Sequence, residues 1–200
     1  MHCMNTIDLS NKVAVVFGVA NHRSIAWSIT SILKSAGATV ALSYQNERLK
    51  KSLDKLTADW NDPVLVECDV GQDSNVEKAF NEISKNLGKI DIVVHSIAFA
   101  NREDLGGRFV ETSREGFNLA LEISSYSLIP ITKYAAQHMK DGGNILTMSF
   151  QAAEKVFPGY NVMSTAKAAL ENEVRQLAHD MGSQNIRVNA ISAGPVDTLS

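Results

Sequence analysis

The sequence predicts a doubly wound α/β fold, a single domain built around a parallel sheet, and three observations carry that prediction. Short β-branched runs alternate with longer stretches of helical periodicity, the pattern of repeated strand-helix-strand units. One glycine, Gly18, follows the first strand-like run and leads within a few residues to a helix cap at Ser24. Residues able to bind or react gather just after the predicted strand ends, where open α/β sheets place their ligands.

Strands are expected at Lys12–Phe17, Ala38–Ser43, Val64–Cys68, Ile90–Ser96, Asn144–Ser149 and Arg187–Ser192. Helices are expected at Ser24–Ser35, Glu47–Asp59, Ser74–Leu87, Ser113–Met139 and Tyr160–Met181. Because crossovers between parallel strands are right-handed, these elements predict the strand order 3-2-1-4-5-6. A ligand should then lie across the switch point between strands one and four. No repeat, low-complexity segment or Pro/Gly linker divides the chain.

The 200 residues are 44% hydrophobic and 20% charged, which suits one domain, residues 1–200, able to bury a core on both sheet faces. A formal net charge of -3 with interspersed signs provides no basic field for nucleic acid or an anionic membrane. Cys3 and Cys68 have no CxxC companion and no His at ligand spacing, so no metal site or disulfide framework is expected, and a reducing cytoplasm fits. Met1–Ser10 lacks an apolar export core, and no apolar run approaches the roughly 20 residues needed to span a bilayer. The chain stops at Ser200, in a loop eight residues beyond Ser192. That ending predicts a shortened domain whose last strand leaves a sheet edge uncovered.

The first turn, Gly18-Val19-Ala20-Asn21-His22-Arg23-Ser24, lacks the full G-x-G-x-x-G pattern but keeps one glycine ahead of a capped helix. Free N–H groups and the helix dipole at that terminus suit a pyrophosphate, and a plain helix cap would read the same way. Strand two ends in Tyr44-Gln45-Asn46, where a dinucleotide fold usually carries an acid for the adenine ribose. Neutral Gln45 offers no charge for a 2′-phosphate, which favours NADH over NADPH, with Arg48 as the residue able to reverse that preference. Asp69, after strand three, is an acceptor suited to the adenine amino group, or else a turn aspartate. After strand four, Ser96-Ile97-Ala98 would let a nicotinamide ribose approach the backbone, whereas His95 reads as a packed structural histidine. These features together describe a Rossmann-like site.

Reduction of an activated double bond needs a hydride, an acid for the developing enolate oxygen, and a cation to hold the ribose. Tyr160 and Lys167, seven apart, fall on one helix face. Tyr44 with Lys51 and Tyr126 with Lys133 share that interval, so spacing alone does not choose. Context selects Tyr160, which opens a helix directly after the strand-five loop, on the nicotinamide side of the switch point, with Pro158 and Gly159 fixing its entry.

The segments Ser24-Ile25-Ala26-Trp27, Tyr44-Gln45-Asn46, Cys68-Asp69-Val70, His95 to Ala100, Thr112 to Phe117, Ile123 to Ser127, Tyr160 to Lys167 and Asn185 to Pro195 together resemble bacterial enoyl-acyl-carrier-protein reductase. This is a divergent branch of the short-chain dehydrogenases with Tyr-x6-Lys, and the likeness runs from Leu9 to Ser200. The resemblance implies reduction of trans-2-enoyl thioesters on acyl carrier protein in fatty-acid elongation. It implies that Tyr160 assists at the thioester oxygen and that Lys167 holds the nicotinamide ribose. Gly18, Ser24, Ile25, Gln45, Asp69, Val70, Ser96, Ile97, Val196 and Thr198 would contact NADH, while Ala100 and Phe150 would touch the substrate. Family members are homotetramers, with Ser113–Met139 and Tyr160–Met181 as the expected interface. Two positions depart from the family pattern. Phe150 stands where most members have a second tyrosine, and Asp197 stands where a basic residue is usual. The family also continues past the position of Ser200, with further helices and a final strand. A carbonyl-reducing short-chain dehydrogenase and a non-catalytic nucleotide-binding subunit are the competing readings.

Overall fold

The computed structural model describes residues 7–194 and Val196. Six parallel strands form one sheet: β1 (Val13–Phe17), β2 (Thr39–Tyr44), β3 (Val64–Glu67), β4 (Ile92–His95), β5 (Gly143–Phe150) and β6 (Ile186–Ala193). Their order is β3-β2-β1-β4-β5-β6, as the alternation of elements predicts. Val16 lies beside Leu42 on one flank and Val94 on the other, and Thr147 lies between His95 and Ala190.

The inner strands are apolar on both faces because both faces are covered. Alternation decides which side chain goes where. Val15 and Phe17 of β1 point into a cluster with Phe80, Ile83, Leu128, Ile131 and Leu170. Ala14 and Val16 point the other way, onto Ala26 and Leu53. Helices α1 (Ile25–Ser35) and α2 (Glu47–Leu56) thus cover one face. On the other lie α3 (Asp73–Leu87), α6 (Leu128–Ala136) and α7 (Asn161–Gly182). At the strand N-termini Asp91 accepts from the Val13 N–H and pairs with Lys12 at 3.0 Å, which ties β1 to β4 at the end remote from the loops of interest.

Three expectations need correction. Helix α2 stops at Leu56, where Thr57 closes the last turn with a hydroxyl bond to the Leu53 carbonyl. Tyr160 is the residue before α7 and not its first turn, with φ -114°. The long helix expected over Ser113–Met139 is three pieces: α5 (Arg114–Leu121), a π turn (Glu122–Tyr126) and α6. Pro130 has no N–H to donate to Tyr126, and ahead of it the ladder widens, with the Ser127 N–H reaching back to Glu122. A short helix α4 (Arg102–Leu105) and a 3-10 turn (Phe109–Glu111), both unforeseen, lie between β4 and α5.

Candidate active site

Gly18 follows β1 with φ +92°, a left-handed conformation that glycine adopts freely. A Cβ there would overlap the Ser96 carbonyl oxygen at the end of β4. The glycine therefore allows the first turn to press against strand four, which is what brings the two ends of the switch point together. Ser24 is buried and caps α1, accepting from the Trp27 N–H at 3.3 Å while its hydroxyl donates to the Asn21 carbonyl at 2.7 Å. Ile25 and Ala26 hold the first two helical positions, and among the described residues their N–H groups find no acceptor. Those two donors and the bare Gly18 surface fit a dinucleotide pyrophosphate.

At the other end of the crevice the exposed Gln45 carboxamide donates to Asp69 at 3.3 Å. The same carboxylate oxygen accepts from the Gly71 N–H at 3.1 Å. Two residues predicted separately for the adenosine end are thus joined. Val70, next along, is half-buried against the core.

The end of β4 is held by the π turn, which sequence reasoning missed. Ser124 bonds both polar atoms of the Phe99 backbone, accepting from the N–H at 2.8 Å and donating to the carbonyl at 2.9 Å. Ser127 and Thr147 each lie 2.8 Å from a ring nitrogen of His95, which is fully buried. Burial, with the Lys167 ammonium nearby, pushes the imidazole down to about 3, so it stays neutral and structural, as its sequence context suggests. Three serines inside a helical stretch, Ser124, Ser125 and Ser127, are the signal that could have revealed these anchors, since serine favours local backbone bonds over helix propagation. Ser96, Ile97 and Ala100 line this pinned segment, each half-buried.

Strand β5 and helix α7 bring the remaining groups together. Lys167 is only 4% exposed, and its ammonium donates to the Met148 carbonyl at 2.7 Å. Burial lowers its pKa to about 8. Tyr160 meets the ring of Phe150 edge-on, with centroids 5.1 Å apart. Its phenol is pushed up by burial, and among the described residues its hydroxyl has no hydrogen-bond partner. Tyrosine and lysine therefore converge on the last three residues of one strand, the lysine through the Met148 backbone and the tyrosine through the Phe150 ring. The rival pair Tyr126 and Lys133 does not converge in this way. Tyr126 is 47% exposed in the π turn, and the Lys133 ammonium lies over Tyr134. Val196 is exposed, whereas Asp197 and Thr198 lie outside the described residues. Among the described residues no helix is long and apolar enough to cross a membrane, and no group of three His, Cys, Asp or Glu side chains could hold a metal ion.

Fold and site define a Rossmann-like protein of the short-chain dehydrogenase kind, with its candidate functional groups at the C-terminal ends of β1, β4 and β5. A family model described as enoyl-(acyl carrier protein) reductase matches residues 18–200, and the chain belongs to that family. It is 48% identical over 194 residues to an NADH-dependent enoyl-[acyl-carrier-protein] reductase of Bacillus subtilis, covering 96% of this chain and 75% of the relative. A Staphylococcus aureus relative named for NADPH is 50% identical, with 97% and 77% covered. Among solved structures, the Bacillus cereus reductase with NADP+ and an indole naphthyridinone superposes with a TM-score of 0.93 at 47% identity, covering 96% of this chain and 76% of that one. The Anaplasma phagocytophilum reductase in complex with NAD gives 0.92 at 45%, covering 96% and 73%.

Proposed function

We propose that this protein reduces the trans-2 double bond of enoyl thioesters carried on acyl carrier protein, using NADH, within fatty-acid biosynthesis. The observation that carries the reading is the convergence of an open phenol and a buried ammonium on the end of β5, next to the switch point.

The bound dinucleotide supplies the hydride. Gly18, the Ser24 cap and the N–H groups of Ile25 and Ala26 would hold the pyrophosphate, and Gln45, Asp69 and Val70 would hold the adenosine. NADH is favoured over NADPH because the Gln45 amide is neutral and bonded to the Asp69 carboxylate, leaving a negative charge where a 2′-phosphate would sit. Ser96 and Ile97 would border the nicotinamide ribose, and Val196 and Thr198 would be further contacts to the cofactor. Lys167 holds the ribose hydroxyls with the donors left over from Met148. Tyr160 donates to the thioester oxygen as enolate charge develops there, and its raised pKa keeps it protonated until that moment. Ala100 and Phe150 form the apolar border of the acyl site.

The assembly we propose is a cytoplasmic homotetramer joined through α5, the π turn, α6 and α7. Tyr126 of the π turn and Ile129 of α6 support this, as large side chains left exposed on those elements. Sedimentation of a monomer would overturn that part.

The activity is tested by supplying a crotonyl thioester with NADH and following loss of the reduced cofactor. Thioester-dependent oxidation of NADH is expected. A keto-thioester reduced faster than the enoyl one would replace this reading with a carbonyl reductase, and cofactor binding without turnover would replace it with a non-catalytic role.

A further inference from the structure

Among the described residues the Tyr160 hydroxyl has no hydrogen-bond partner, so the direction of the phenol rests on how its ring is packed. The only ring it touches among the described residues is Phe150, at 5.1 Å and 69°. Phe150 in turn packs against the ring of Phe157, at 4.8 Å and 48°. The chain between these partners is short and specific. The Tyr160 N–H donates to the Phe157 carbonyl at 3.2 Å, with Pro158 and Gly159 between them and Gly159 at φ +78°. That is a type II turn, with proline at its second position and a glycine in the left-handed region at its third. No atom lies within 4 Å of where a Gly159 Cβ would be, so the glycine serves the turn and not a tight approach. Within the same loop Val156 is 93% exposed and Phe157 is half-buried, which leaves Phe157 as the apolar anchor of the segment.

We propose that Phe157 is a positioning residue, and that the Phe157-Pro158-Gly159-Tyr160 turn and Phe150 form an aromatic clasp that aims the Tyr160 phenol into the substrate crevice. The first and last residues of the turn place their rings on the same central ring. Edge-on and tilted ring pairs hold orientation as well as area, because the ring edge seeks the neighbouring face. Phe150, which lacks the hydroxyl usual at its position, acts as the middle of the clasp. The apolar rings also keep water from the phenol, consistent with its raised pKa. The proposal rests on the enoyl-thioester reading for its catalytic consequence, though not for the geometry.

The test compares Phe157→Ala, Phe157→Leu and Phe157→Tyr in the purified protein. With a crotonyl thioester, the alanine and leucine forms should lose about tenfold or more in kcat, since small misplacement of a reacting group is costly. Their KM for NADH should stay within about twofold, and Phe157→Tyr, which keeps the ring, should restore kcat to about the parent value. Leucine retains apolar volume at a half-buried site, so it reports even if alanine unfolds. Opening the clasp should also move the alkaline limb of the kcat profile to lower pH. A second readout needs no turnover. Fluorotyrosine placed at position 160 should give one sharp fluorine resonance that broadens or splits in Phe157→Leu. Unchanged kcat in the leucine form, or an unchanged resonance, overturns the clasp. If the parent reduces no enoyl thioester, the reaction reading fails, and the resonance alone still decides whether Phe157 orients Tyr160.

Discussion

Replacing Lys167 with methionine should make the protein more stable while removing its proposed activity. The side chain is 4% exposed and its pKa is lowered from 10.5 to about 8 by burial. A lysine whose folded value lies below its unfolded one penalises the fold fully at neutral pH, and the penalty fades as pH rises from about 8 towards 10.5, because over that range the unfolded chain holds more protons. At about 1.4 kcal/mol per pH unit the gap corresponds to about 3 kcal/mol. The hydrogen bond from the ammonium to the Met148 carbonyl offsets part of this, by about 1.5 kcal/mol. Methionine, of similar length and apolar, should therefore gain about 1–2 kcal/mol at neutral pH. Urea unfolding of both forms without dinucleotide measures the difference. The advantage should shrink as pH approaches the unfolded lysine value, and enoyl-thioester reduction should be lost throughout. A Lys167→Met protein that is less stable than its parent, or an advantage independent of pH, would refute the claim that burial of the charge dominates this site.

Gly18→Ala should destabilise the fold by roughly 3 kcal/mol or more, through a left-handed φ and overlap with the Ser96 carbonyl, and weaken dinucleotide binding in a fluorescence titration. His95 has a folded value of about 3 against 6.5 unfolded, so its contribution is complete above the unfolded value and is lost as the unfolded chain takes up a proton at lower pH. Between about pH 7 and about pH 5 this amounts to about 2 kcal/mol, to be seen as a fall in denaturant midpoint that a His95→Asn form lacks. Burial pushes the Asp91 carboxyl up, but the Val13 N–H and the Lys12 ammonium outweigh it and hold the pKa below the usual carboxylate range. Stability from Asp91 is therefore present above about pH 4 and lost as pH falls through the folded value. Asp91→Asn should cost about 2 kcal/mol at neutral pH and flatten the acid end of the stability profile.

The sequence by itself determined the strand order and the place of the Gly18 turn and the Ser24 cap, and its context made Tyr160 the candidate over two equally spaced tyrosines. These depend on local periodicity, on turn chemistry and on position after a strand end, all of which neighbouring residues encode. Only the tertiary structure decided the rest. The break in the helix over Ser113–Met139 needed the demands of Phe99 and His95, whose partners Ser124 and Ser127 are distant in sequence. The burial of Lys167, the bond between Gln45 and Asp69 and the seat of Phe157 on Phe150 likewise arise where the ends of separate strands meet. A residue's spacing can say which face of an element it occupies. What stands opposite that face is fixed only when the sheet assembles, because the low-dielectric surroundings and the packing partners that set charge and orientation come from remote parts of the chain.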